Sequence, residues 1–165
     1  MESRVIREGI TAGIIGALVI AVWFFGIDAV RGSMLATPVM LGRSVLSVFL
    51  PVDSTASFAG AFLGYTAFHF IAFIIAGIVM SAIVNASERV PSFLFGFLVL
   101  FVAFEVGWVG FTLVLAQGEF GELSWLQVFI ANLLASGAMG AYLWRQHPGL
   151  ATRARLELAG AQHEG

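Results

Sequence analysis

Residues 58–84 read FAGAFLGYTAFHFIAFIIAGIVMSAIV, an unbroken stretch without one charged side chain. A helix needs about 20 mostly apolar residues, at about 1.5 Å of rise each, to cross the hydrocarbon layer of a membrane. The stretch exceeds that length. It shows no polar stripe of the kind that a helix on the surface of a soluble domain turns to water, so its solvent is lipid. Three further segments satisfy the same criterion: about 9–30, 92–116 (interrupted only by Glu105) and 123–144. Because lipid cannot satisfy exposed backbone groups, each must be helical. The expected fold is therefore all-α, an integral membrane four-helix bundle, with residues 1–147 as a single four-span domain and 148–165 as a polar cytoplasmic tail.

Composition agrees. Of the 165 residues, 59% are hydrophobic and 11% charged, against about 45–50% and about 25% in soluble domains. The mean hydropathy is +0.96. Such an inventory cannot cover a soluble surface, and it lacks the clustered basic residues that nucleic acid requires. With no cysteine, disulfides, thiolate metal sites and cysteine nucleophiles are excluded. A signal peptide's apolar region is usually only about 7–15 residues long, so segment 9–30 is read as a retained span.

Four spans place both termini on one side of the membrane. With that side cytoplasmic, Arg4, Arg7, Arg89, Arg145, Arg153 and Arg155 lie inside, against Arg31 and Arg43 outside. This asymmetry favours N-in/C-in. The first outer connection, Arg31 to Ser57, is long for a bundle, whose links usually run about 2–8 residues. Thr37 followed by Pro38 has the form of a helix start, and Pro51 ends the run. A helix over about 38–50, roughly 20 Å long, is too short to span; it is expected to lie in the outer interface or to re-enter the membrane, with Arg43, Ser44 and Ser47 as its polar face.

Small residues four apart provide seams where helix backbones can approach: Gly9 and Gly13, Ala12 and Gly16, Gly60 and Gly64, Ser136 and Gly140, Ala131 and Ala135. Lipid gives no hydrophobic drive for association, so such seams and interhelical hydrogen bonds must supply it. Trp125 and Trp144 mark the two ends of the fourth span, whereas Trp23 and Trp108 lie deeper.

Counted from the outer ends of their spans, His69, Glu105 and Asn132 all fall about 14–17 Å deep, near the midplane. They form the candidate intramembrane polar site. Asp28, Tyr65, Thr66 and Trp108 are candidates to extend it outward; Asp28 is close enough to the outer end for water to reach it, yet the same helix could direct it into the bundle. Three readings follow. The layer can be an interhelical hydrogen-bond clamp in a structural or accessory subunit; it can line a proton, ion or small-solute pathway through Asp28, His69 and Glu105; or it can bind a pigment or other cofactor, with His69 as a single ligand. Against a pathway, Val79, Met80, Ile83 and residues 98–101 are apolar toward the cytoplasmic side. One intramembrane histidine does not make a bis-histidine haem site, the paired Glu-x-x-His motifs of di-iron bundles are absent, and no nucleophile or metal motif identifies a reaction. No catalytic residue and no metal site is assigned. The expected partners are the lipid bilayer and other membrane subunits or further copies of the chain, without nucleic acid.

The segments GITAGIIGA (9–17), WFFGID (23–28) and TPVMLG (37–42), with HF at 69, FE at 104 and ANL at 131, resemble a group of small bacterial four-span membrane proteins. The resemblance implies a multi-pass protein of the bacterial inner membrane and implies no activity. By elimination, the expected role is a non-enzymatic structural or accessory subunit of a larger membrane assembly.

Overall fold

The structure, a computed structural model, describes residues 2–47, 57–86, 98, 99, 101–107, 109, 110 and 125–149. Among them all regular structure is helical: α1 (Glu2–Val30), α2 (Ala36–Ser47), α3 (Phe58–Ala86), the helical residues within 98–110, here α4, and α5 (Trp125–Gln146). Three helices are long and apolar enough to cross a membrane, over Ser3–Val30, Phe58–Asn85 and Trp125–Gln146. The expected third span, 92–116, falls partly outside the described residues, and the outer loop after it and the tail beyond residue 149 lie wholly outside them.

Helix α1 is the hub. It packs along α3 on one side and α5 on the other, while α3 and α5 barely touch. The pairing with α3 is antiparallel: Gly9 meets Ile78, Gly13 meets Phe73 and Ile74, and Ala17 meets His69. At the closest point the backbone of Gly77 lies on Gly9 and Gly13. The seam therefore needs glycine on both helices, and Gly77 is a partner that four-residue spacing did not single out. The other seams differ. A Cβ on Gly16 would meet the side chains of Met139 and Phe73, one on Gly64 would meet Leu46, and one on Gly60 would meet nothing closer than the Ser57 hydroxyl. Around α1 the core fills with Ala12, Ala17, Phe73, Met80, Ala135 and Met139. Helix α4 leans on this assembly through Phe104 against Phe73 and Phe101 against Phe129, with ring centroids 4.7 and 5.2 Å apart.

The reversal between α1 and α2 satisfies its backbone groups in turn. Gly32, at φ +72°, occupies the left-handed position that ends a helix; its N–H reaches the Ala29 carbonyl, and the Ser33 N–H reaches the Asp28 carbonyl. These two bonds form a Schellman closure, for which glycine is favoured because it has no Cβ. Leu35 then adopts φ 68°, a conformation costing a non-glycine residue roughly 1–2 kcal/mol. Its carbonyl accepts the Val39 N–H, and the Ala36 N–H donates to Ser33. Helix α2 thus begins at Ala36, not after an N-capping Thr37: Thr37 is the second helical residue and Pro38 the third, where the missing N–H leaves nothing unsatisfied. The remaining N–H, that of Thr37, is capped from α1 by Asp28. Helix α2 rests on α3 where Gly42 meets the backbone of Ala61. Helix α3 starts with an N-cap, the Ser57 hydroxyl accepting the Gly60 N–H at 3.1 Å.

Candidate functional site

Each polar residue expected near the midplane is engaged by a neighbouring helix. His69, 8% exposed, places Nε2 3.1 Å from the Ala17 carbonyl on α1. A carbonyl can only accept, so Nε2 carries the proton and, in the neutral ring, Nδ1 is an acceptor. Asn132 on α5 donates from Nδ2 to Glu105 Oε1 on α4 at 2.9 Å. Counting depths placed His69, Glu105 and Asn132 in one layer; the structure joins two of them directly and turns the third to a backbone carbonyl. Tyr65 stacks on His69, with centroids 5.5 Å apart, and Phe73 closes on the other side at 4.7 Å. The Thr66 hydroxyl donates to its own helix at Phe62 O. The Trp108 side chain lies outside the described residues.

Asp28 lies in the last turn of α1 and is turned into the protein, out of reach of water. It is 1% exposed; Oδ2 accepts the Thr37 N–H and Oδ1 the Thr37 hydroxyl, both at 2.7 Å. Its role is to cap α2. The polar face of α2 is also smaller than expected. Arg43 and Ser47 are exposed, whereas Ser44 is buried against the protein and donates to Met40 O. Trp23, the deeper tryptophan of α1, donates from its indole to Gln127 O on α5 at 3.1 Å.

The residue that sequence reading missed is Glu8, in the N-terminal flank where only the arginines were counted. It is 3% exposed; one oxygen pairs with Arg4 Nε at 2.7 Å and the other lies 3.0 Å from His147 Nε2, just past the end of α5. Arg4 also donates to the carbonyl of Gln146, the last residue of α5, where a cation offsets the negative end of the helix dipole. The cluster pins the start of α1 to the end of α5. The four-residue spacing of Arg4 and Glu8 was legible as an ion pair, but nothing in the sequence pointed to His147 as a third member. Glu8→Ala should cost about 2–3 kcal/mol, because it leaves a buried histidine without its carboxylate. Reversible unfolding in detergent checks this, and a loss no larger than that of an exposed control would contradict it.

Two clefts flank the Tyr65–His69 pair. One, about 290 Å³, lies between α1 and α3 beneath the start of α2, with walls that include Phe24, Phe25, Phe62, Phe70 and Pro38. The other, about 250 Å³, lies between α1, α3, α4 and α5 and is bounded by Phe104, Ala103, Val128 and Asn132. Among the described residues no three His, Asp or Glu side chains gather to hold a metal ion. Comparison with known proteins returns no match to a family model, a curated protein or a solved structure.

Proposed function

We propose that the chain is a four-span bundle of a bacterial inner membrane, with both termini cytoplasmic, acting as a structural or accessory subunit of a larger membrane assembly. The observation that carries this reading is that Asp28, His69 Nε2, Asn132, Glu105 and the Trp23 indole each bond within the chain itself. Asp28 holds Thr37, His69 holds Ala17, Asn132 holds Glu105 and Trp23 holds Gln127. Such bonds tie one helix to the next and favour a single arrangement, where a conduction path would keep polar groups open to water. The pairing of Glu8 with Arg4 and His147 supports placing both ends of the chain on one side. A further support is the outer face of α1, where Ile6, Ile10, Ile14, Leu18 and Val22 recur at four-residue steps and stay exposed; this lateral surface suits lipid or another membrane helix.

Purification from the native membrane in a mild detergent tests the proposal. Stoichiometric membrane partners are the expected result, and a lone monomer would count against it. A proton or ion flux in proteoliposomes that Glu105→Gln or His69→Ala abolishes would replace it with the transport reading.

A further inference from the structure

The cleft between α1 and α3 has the character of a small-molecule site. Four phenylalanines, Phe24, Phe25, Phe62 and Phe70, line it together with Tyr65 and His69, so six of its thirteen wall residues carry aromatic rings. Its volume of about 290 Å³ is near the lower end of ligand pockets, about 300–1,000 Å³, enough for a ring and too small for a long chain. It opens sideways past Val22 and Phe25, which are 69% and 48% exposed, so a tail can leave into the lipid. Between Phe62 and Phe70 the cleft extends about 12 Å along α3, from near the outer end of the helix to the depth of His69.

Two polar groups in this wall have no partner among the described residues: the Tyr65 hydroxyl and His69 Nδ1. With Nε2–H committed to Ala17, Nδ1 of the neutral ring can only accept a hydrogen bond. A matching ligand must therefore bring a donor on an otherwise apolar, flat body. Acyl chains have no donor, and neither has an oxidised quinone. A quinol has two. We propose that this cleft binds the ring of a membrane quinol, one hydroxyl donating to His69 Nδ1 and the other meeting Tyr65, with the isoprenoid tail passing Val22. The site goes beyond the subunit role proposed above and does not depend on the presence of partners.

The test uses the full chain in nanodiscs under reducing, anaerobic conditions, with quenching of intrinsic tryptophan fluorescence as the readout and decylubiquinol as the probe. Decylubiquinol should bind saturably and about tenfold more tightly than decylubiquinone or the quinol dimethyl ether, both of which lack the donor. Tyr65→Phe, which removes a hydroxyl with no other described partner, should weaken binding about fivefold. Ala21→Phe, filling this cleft from α1, should abolish it, and Ala103→Phe, filling the other cleft, should leave it unchanged. A melting temperature within a few degrees of the parent shows that each variant is folded. Equal binding of quinol, quinone and dimethyl ether would overturn the proposal, as would binding that survives Ala21→Phe in a folded protein.

Discussion

Leucine at position 77 should separate α1 from α3 and unfold the protein in conditions where the parent is stable. A Cβ at Gly77 would fall on the carbonyl oxygen of Gly9 and on the N and Cα of Gly13, and one at Gly13 would fall on the Phe73 carbonyl and Ile74 Cα. Every obstacle is backbone. A flexible side chain can swing away, but a helix backbone can yield only by moving the whole helix. Separation would lose the close packing along the seam and, with it, the bond between His69 and Ala17. Since packing and hydrogen bonds are what hold helices together in lipid, the expected loss is about 3 kcal/mol or more. Unfolding in mixed micelles with rising SDS, followed by near-UV circular dichroism, measures it. Gly26→Leu is the control on α1, because nothing lies within 4 Å of a Cβ there, and it should shift stability by no more than about 0.5 kcal/mol. If Gly77→Leu behaved like that control, the seam would not be where the helices meet.

Asp28→Ala should be the most damaging change at the turn between α1 and α2. It removes both acceptors that Thr37 uses, leaving a buried N–H and a buried hydroxyl with no partner. An orphaned buried polar group costs about 1–3 kcal/mol, so the pair predicts a loss of about 3–4 kcal/mol. Asp28→Asn keeps one carbonyl oxygen and should recover part of it. Thr37→Val removes the hydroxyl together with its need for a partner and should cost only about 1 kcal/mol. Amide exchange supplies a local readout, with the Thr37 N–H losing its protection in Asp28→Ala before α3 is affected. Unchanged protection would mean that Asp28 does not cap α2.

That α1, α3 and α5 are helices long and apolar enough to cross a membrane was legible because it depends on one-dimensional quantities, the length and charge-free run of each segment, and lipid imposes a helix on any such run. The helix in the connection between α1 and α3 was legible for a related reason: the segment is too long to be a plain link, and Thr-Pro at 37–38 signals a helix start close to the observed one at Ala36. Its start was misread because Thr-Pro matches the local pattern of a cap and first helical residue, whereas here the capping oxygen comes from Asp28, nine positions earlier. The Schellman turn at Gly32 and the left-handed Leu35 bring it there, and a window of neighbouring residues does not contain that contact.

The candidate site divides along the same line. Depth along a span is a count of residues, and counting placed His69, Glu105 and Asn132 at one level. Which group each one meets depends on the rotation of each helix about its axis and on the distance between axes, and a count contains neither. Tertiary packing alone assigned Asn132 to Glu105, His69 to the Ala17 carbonyl and Glu8 to His147, and chose Gly77 as the partner of Gly9 and Gly13. By itself the sequence determined which segments are helical and apolar enough for lipid, since this follows from the free energy of placing each segment there. Their pairing belongs to the tertiary structure, because hydrogen bonds and close backbone contacts act over about 3 Å, between residues up to 142 positions apart along the chain.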